Sequence, residues 1–253
     1  MRRFYQESWQ GIPFTSFSHI SFFHLAEPKF YAVFYEELFR RYKNWEDLPS
    51  VWRENKRTDA KWLIGQLRAK LAQDPAGRME PVRVLSIGSG VGYMEKILLE
   101  EMPELELHVN EPSTVGMKWL REYIPSDRIY IGLPPMCLPS DVQYDMIYLS
   151  TVDYGIPTRE FQHLLWELRA QLAPGGELVL LSASLLEEDS FIGSFVNAIK
   201  IGIRAALHYM GIRRQQFWGW RRTQDEYRDL FKEAGFTRVK DGWLEDGFET
   251  YWI

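Results

Sequence analysis

Val82-Arg83-Val84-Leu85-Ser86-Ile87-Gly88-Ser89-Gly90-Val91-Gly92-Tyr93 is the stretch whose reading decides the fold. A short apolar strand over Val82–Ile87 runs into a glycine-rich turn, and a helix over Tyr93–Met102 opens directly behind it. Glycine carries no Cβ, so glycines at alternate positions let the backbone turn sharply and approach a ligand closely. The N–H groups at the head of the following helix are then free to meet an anion or a carboxylate. A Gly-x-Gly-x-Gly turn alone fits several nucleotides, so the flanking segments must supply the rest of the site.

Working outward, strands and helices alternate. Strands are predicted at Glu106–Glu111, Arg128–Gly132 and Tyr144–Ser150, with helices at Ser113–Tyr123 and Arg159–Leu172. Pro174-Gly175-Gly176 turns the chain into a further strand, Glu177–Ser182. Such alternation predicts an α/β, Rossmann-like doubly wound sheet, mostly parallel and covered on both faces. Its ligands sit at the carboxyl ends of the strands. Near the C-terminus, Thr223 is placed to cap a helix, with Glu226 as its capping-box partner, and that helix ends at Ala234-Gly235-Phe236. Two last strands, Thr237–Trp243 and Phe248–Ile253, are joined by Glu245-Asp246-Gly247, a hairpin signal that adds an antiparallel pair.

Two regions lie outside this pattern. Residues 1–75 read as an aromatic, helical N-terminal cap on a core over 76–253, and residues 185–221 as an insertion into that core. Within the cap, residues 1–26 alternate too poorly to predict a strand. Phe30, Phe34, Leu38 and Tyr42 recur every four positions in a helix over 28–43, and Trp62, Leu63, Leu67 and Leu71 do similar service over 58–73. The insertion holds an amphipathic helix over 191–213, with Ile192, Val196, Ile199, Ile203, Leu207 and Met210 on one stripe. Both regions are aromatic, and together they would form a lid over the strand ends.

The net charge of -5 offers no electrostatic case for nucleic acid as a partner. The lone Cys137 cannot close an internal disulfide, so a reducing, cytoplasmic compartment is expected. The N-terminus lacks the apolar core of a secretory signal, and no run approaches the ~18 apolar residues of a membrane span. Lys200, Arg204, Arg213 and Arg214 make a basic stripe, which is either solvated or in peripheral contact with an anionic membrane surface.

From residue 82 to 253 these pieces, in this order, resemble the class I S-adenosylmethionine-dependent methyltransferases. Gly88-Ser89-Gly90-Val91-Gly92 looks like that family's first motif. Glu111, at the end of the second strand, looks like its ribose-binding acid. Tyr144–Ser150 looks like its fourth strand, and Leu172-Ala173-Pro174-Gly175-Gly176 like its turn into the fifth. The resemblance implies S-adenosyl-L-methionine as cofactor, held by Ser86, Gly88, Ser89, Gly90, Gly92, Glu111, Pro112 and Ser150, with Met136 and Cys137 near the adenine. The spacing agrees: Glu111 follows Gly90 by about the ~20 residues that separate a glycine turn from a ribose acid. The other reading of Glu111 is a solvated strand-end residue. A dinucleotide Gly-x-Gly-x-x-Gly would need glycine where Tyr93 stands, which disfavours nicotinamide. Two departures stand out. Ser86 occupies the place, two before the first glycine, where the family usually has an acid, and no acid follows the third strand until Asp141.

The resemblance makes the chain an enzyme that transfers a methyl group in line to a small molecule or glycan, on an oxygen ahead of a nitrogen. A non-catalytic binding or assembly protein on the same fold is the alternative, because fold alone does not establish function. Asp153, after the fourth strand, is the first candidate base, though it would equally serve as a local cap, and Tyr154 would line the pocket. His19 and His208 are the histidines placed to reach an acceptor, against the ordinary reading as satisfied polar residues. No cluster at metal-ligand spacing is present in the sequence, so no metal is expected. Trp218 and Trp220, in the run Gln215–Arg222, would either stack on a planar acceptor or pack the lid. A homodimer is left open.

Overall fold

Strands buried on both faces read as near-continuous apolar runs, and the runs from Val84 and from Met146 pair side by side as that rule requires, whereas the strand from Glu106 alternates Leu107 and Val109 with polar residues. The computed structural model describes residues 2–6, 8–13, 28–73, 81–185, 199–200, 202–203, 206–207, 210, 217–244 and 250–252. In chain order the described elements are β1 (Arg2–Gln6), β2 (Ser8–Trp9), β3 (Ile12–Pro13), α1 (Pro28–Arg41), α2 (Ser50–Gln73), β4 (Arg83–Ile87), α3 (Tyr93–Glu101), β5 (Glu106–Glu111) and β6 (Ile129–Ile131). There follow β7 (Tyr144–Ser150), α4 (Thr158–Ala170), β8 (Leu172–Ser182), β9 (Phe217–Arg221), α5 (Gln224–Glu233), β10 (Asp241–Trp243) and β11 (Thr250–Trp252).

The main sheet runs β6-β5-β4-β7-β8-β11-β10. Its first five strands are parallel, β11 is antiparallel to β8, and β10 is antiparallel to β11. The chain moves outward from β4 to β6, then returns to β7 on the other side. The crevice above β4 and β7 is therefore the topological switch point where open α/β sheets take ligands.

Alternation divides each strand between two cores. Val84, Met146 and Val179 pack with Leu63 and Leu67 of α2 and Met94 and Leu98 of α3. Their neighbours Leu85, Ile147 and Leu178 pack with Phe161 and Leu165 of α4 and Tyr227 and Phe231 of α5. A third cluster joins α1 (Phe30, Phe34, Leu38) to Trp45, Val91, Tyr93 and Trp119, and so lies against the glycine turn. At the head of α5 the expected capping box is present: Glu226 N–H donates to Thr223 Oγ1 (3.2 Å), and Thr223 N–H to Glu226 Oε2 (2.9 Å).

Several local expectations are corrected. α2 begins at Ser50, not near Thr58, because its first turns are mostly polar and carry no apolar stripe, with Trp52 and Lys56 on the crevice and Val51 and Glu54 exposed. The helix expected over 113–123 is a pair of 3-10 turns, Gly116–Lys118 and Leu120–Glu122. The Tyr35 ring presses on Gly116, where a Cβ would lie 2.8 Å from Tyr35 Cε2. Residues 2–6, unassigned from sequence, form β1 and pair antiparallel with β9, which joins the N-terminal region to the end of the insertion. The turn at Pro174–Gly176 lies inside β8, opposite a register shift between Tyr144 and Met146. The first of the two final strands is Asp241–Trp243, shorter than the expected Thr237–Trp243, while the hairpin turn at 245–247, the ends of the expected last strand and most of 191–213 lie outside the described residues. Of the expected apolar stripe there, Ile199, Ile203 and Met210 are exposed. Among the described residues no helix is long and apolar enough to cross a membrane.

Gly92 and Gly175 share a left-handed backbone (φ 72° and 75°) in opposite surroundings. A Cβ on Gly92 would lie 2.0 Å from Leu120 Cγ, whereas one on Gly175 meets nothing within 4 Å. Gly175→Ala should therefore cost only the ~1–2 kcal/mol of the left-handed conformation, and Gly92→Ala a further ~1–3 kcal/mol of overpacking. Chemical denaturation of the two variants measures the difference, and equal costs would refute it.

Candidate active site

The glycine turn is fixed by what its backbone must bond. Gly88 N–H and Ser89 N–H both donate to Asn110 O (2.9 and 3.0 Å), tying the turn to the end of β5. Gly88 and Gly90, like Gly92, take left-handed φ values, 69° and 61°. Gly90 N–H donates to Glu111 Oε2 (3.0 Å), and Ser113 N–H to Glu111 Oε1 (3.3 Å). From the N-terminal region, the Trp45 indole Nε1–H donates to Val91 O (2.8 Å) in a buried contact. The turn is thus held from the sheet on one side and from the cap on the other.

A cleft opens above this turn at the carboxyl ends of β4, β5 and β7. Its floor is Ser86–Val91, Glu111, Pro112 and Ser150–Val152, with Tyr154 and Gly155 beyond. Its roof comes from the N-terminal region: Trp9, Gln10, Tyr31, Tyr35, Trp52 and Lys56. The roof aromatics brace one another, with Tyr31 and Tyr35 stacked at 6.2 Å and Trp9 stacked on Phe34 at 4.5 Å. Two non-glycine residues on the cleft hold left-handed backbones, Gln10 (φ 47°) and Thr151 (φ 54°). For a β-branched residue such as Thr151 that is a costly conformation, of the kind found at functional sites.

Two buried carboxylates flank the turn. Glu111 is 2 % exposed. Burial pushes its carboxyl up to about 8, against the donors Gly90 N–H, Ser113 N–H and the Tyr35 hydroxyl. Glu95, on the first turn of α3, is also 2 % exposed, and its Oε1 accepts from the hydroxyls of Ser86 and Tyr148 (2.6 Å each). Burial raises the Glu95 carboxyl too, opposed by those hydroxyls and by the Lys56 charge. Lys56 Nζ donates to Asp59 Oδ2 (2.6 Å) and Ser150 Oγ (2.8 Å). Glu95 Oε2 and Ser89 Oγ are buried on the cleft and have no hydrogen-bond partner among the described residues.

Of the residues singled out from sequence, Ser86, Gly88, Ser89, Gly90, Glu111, Pro112, Ser150 and Tyr154 line this cleft. Gly92 stands just behind it as the N-cap of α3. Met136 and Cys137 do not line it: Met136 is 92 % exposed, and the Cys137 thiol accepts from Asn110 Nδ2 (3.2 Å). Asp153 is turned away into a buried cluster. Its Oδ2 accepts from Ser182 Oγ and Ser184 Oγ (2.8 Å each) and from the Tyr227 hydroxyl, while its backbone carbonyl accepts from Arg222 (2.9 Å). That is a packing role, with no exposure to solvent. Trp220 is likewise buried, on β9. His19, His208 and the side chain of Trp218 lie outside the described residues. Sequence reading missed Glu95, Lys56, Tyr31, Tyr35, Trp9, Trp52 and Tyr148. Apart from Tyr148, inside the fourth-strand segment, none sits in a motif, and only the first-turn position of Glu95, beside the glycine turn, could have marked it.

The fold is that of the class I S-adenosylmethionine-dependent methyltransferases. Solved structures similar to this chain include magnesium protoporphyrin IX methyltransferase from Synechocystis, with bound S-adenosylhomocysteine: TM-score 0.55 and 15% identity, over 88% of this chain and 94% of that one. Human N-acetylserotonin methyltransferase in complex with S-adenosylmethionine matches with TM-score 0.53 and 16% identity, over 89% of this chain and 55% of that one. A candidate O-methyltransferase from Nostoc punctiforme matches with TM-score 0.50 and 18% identity, over 74% of this chain and 54% of that one. The chain thus spans about half the length of the latter two. No family model and no curated protein matches the sequence.

The Glu111 carboxyl holds its proton in the folded chain up to about 8 but releases it near 4.3 when unfolded. Between those values the folded state binds more protons, so this group's contribution to stability, full below ~4.3, is lost as pH rises toward 8. Glu111→Gln should flatten that decline in unfolding experiments run between pH 5 and 8, and an unchanged slope would refute it. Asp153→Asn, which disturbs three hydroxyl bonds, should lower stability by about 1–3 kcal/mol; an unchanged unfolding midpoint would argue against the packing role.

Proposed function

We propose that this protein is an S-adenosylmethionine-dependent methyltransferase acting on an oxygen of a small molecule. The observation that carries the reading is the pairing of Glu111 with Gly90 at the switch point: a buried carboxylate bonded to the N–H of the middle glycine, at the carboxyl edge of a parallel sheet. A carboxyl there can hydrogen-bond both hydroxyls of a ribose, and donors bonded to it favour its charged form and strengthen the bonds. The cleft fits such a group on a second count, since Ser89 and Glu95 line it and their buried Oγ and Oε2 have no hydrogen-bond partner among the described residues.

When bound, the cofactor supplies an electrophilic methyl group. The chain's own residues then act by holding and excluding. Glu111 and the turn from Gly88 to Val91 grip the nucleoside end. Ser150–Gly155, at the end of β7, form the wall beside which an acceptor would lie. Trp9, Tyr31 and Trp52 roof the cleft, offering flat faces to a planar acceptor and keeping water from the reacting atoms. Much of the rate in such an in-line displacement comes from positioning the nucleophile about 3 Å from the carbon it attacks. A hydroxyl acceptor must also lose a proton, for which Tyr154, His19 and His208 are the candidates. The preference for oxygen draws on the description of the Nostoc protein as a candidate O-methyltransferase.

Calorimetry with S-adenosylmethionine and S-adenosylhomocysteine tests the reading. Both should bind, and Glu111→Ala should weaken both by at least about tenfold, the lower worth of one hydrogen bond to a charged group. Binding of neither would sink the proposal. Isotopically labelled cofactor, incubated with small-molecule extracts, should then label an acceptor; binding without transfer would favour the non-catalytic alternative.

A further inference from the structure

One face of the insertion between β8 and β9 is both apolar and exposed. Residues 199–200, 202–203 and 206–207 are helical, and Met210 N–H donates to Ala206 O (2.9 Å) in the same pattern. At 3.6 residues per turn, Ile199, Ile203, Ala206 and Met210 fall within an arc of about 60°. Ile199 is 46 % exposed, Ile203 57 % and Met210 61 %, and Ala206 is exposed beside them. Surface helices of globular domains turn such a stripe toward the core, and an outward one marks an interaction surface. The foot of the insertion is anchored. Leu185 bridges Arg222, and the buried Arg222 guanidinium donates to Asp153 O (2.9 Å) and Ile156 O (2.6 Å).

Charge identifies what the stripe meets. The whole chain is acidic, with a net charge of -5. Between Asp189 and Asp225, however, the sequence has no acid, while Lys200, Arg204, Arg213, Arg214 and Arg221 join the buried Arg222 in making it basic. Lys200 and Arg221 are exposed, and Arg204, Arg213 and Arg214 lie outside the described residues. A second copy docked here by two-fold symmetry would set cations against cations, with no acid in the segment to pair them. An anionic bilayer offers apolar depth and negative charge in one surface, which is what an apolar helical stripe with basic flanks binds.

We propose that the insertion docks on an anionic lipid surface, with Ile199, Ile203 and Met210 entering the acyl boundary and Lys200 beside the headgroups. The contact is peripheral, since no helix among the described residues is long and apolar enough to cross a membrane. Docking of this kind is independent of the cofactor reading, because none of these residues lines the cleft.

Co-sedimentation of the full chain with vesicles, in the absence of cofactor, tests it. Mixed phosphatidylserine–phosphatidylcholine vesicles should bind the chain at least about tenfold more tightly than phosphatidylcholine alone, at about fivefold per engaged cation. Raising sodium chloride from about 0.1 M to about 0.5 M should weaken that binding at least about threefold. Ile203→Ser should weaken it about fivefold or more by removing buried apolar area, whereas Ile203→Leu should stay within about twofold. Lys200→Gln should weaken it about fivefold. The lipid and salt comparisons use the wild-type chain and so survive a variant that folds poorly. No binding to the mixed vesicles, equal binding to phosphatidylcholine alone, or undiminished binding by Ile203→Ser would each overturn the proposal. So would a dimer in light scattering that Ile203→Ser dissolves, which would make a second copy the occupant. Binding of S-adenosylmethionine is read separately by calorimetry, so failure of the docking leaves the cofactor reading standing.

Discussion

The backbone from Gly88 to Gly92 alternates through left-handed conformations, and that constraint organises everything around it. A chain bent this way cannot satisfy its own N–H and C=O groups by helix or ladder, and buried backbone groups left unpaired are costly. The partners therefore come from outside: Asn110 O from β5, the Glu111 carboxylate, and the Trp45 indole from the N-terminal region. Two of these partners stand at the end of β5 and the third belongs to the N-terminal region. The turn is consequently the point at which sheet, following helix and cap are brought into register, and it leaves its remaining polar groups facing the cleft.

The second consequence is electrostatic. Glu95 and Glu111 are buried within the same site, and their mutual repulsion is one of the contributions that raise Glu111. Structural buried acids are usually matched by a bonded cation. Here the matching groups are hydroxyls and backbone N–H groups: Ser86 and Tyr148 for one, Gly90, Ser113 and Tyr35 for the other. Such an arrangement retains carboxylates that a donor from solution can still engage. Asp153 illustrates the contrast, since it does not line the cleft and the hydroxyls of Ser182, Ser184 and Tyr227 absorb it into the packing between β8 and α5.

What was legible in the sequence follows from which signals are local. The strand order and the glycine turn could be read because apolar runs, Pro-Gly-Gly and Gly-x-Gly-x-Gly act within a few residues of themselves, and Glu111 because it is the last residue of a strand. The capping box at Thr223 and Glu226 was readable for the same reason. The start of α2 was hidden: Ser50–Arg57 carries no apolar stripe, with Trp52 and Lys56 on the cleft and Val51 and Glu54 exposed, so the hydrophobic period appears only where the helix reaches the core at Ala60, Leu63 and Leu67. β1 was hidden because its partner β9 lies some two hundred residues away. Asp153 was misread because its position after β7 was visible but its rotation toward Tyr227 was not. Spacing along a chain reports which residues are near the strand ends. It does not report which way they point.

The same limit explains Ser86 and Glu95. A motif records the chemistry expected at a sequence position, whereas a ligand meets the chemistry present at a point in space. The end of β4 and the first turn of α3 both border the turn, so an acid can reach that point from either element. Delivery from the helix has a physical advantage, because a carboxylate on a first turn also interacts favourably with the positive end of the helix dipole. It has a cost as well: a longer side chain must be held, and the hydroxyls of Ser86 and Tyr148 do so from two adjacent strands. Lys56 reaches the same cleft from α2, a helix whose lower half, Leu63 and Leu67, is packed into the sheet's own core. One rigid helix thus carries a core contact at one end and a cleft contact at the other. The N-terminal region is for that reason part of the site's construction.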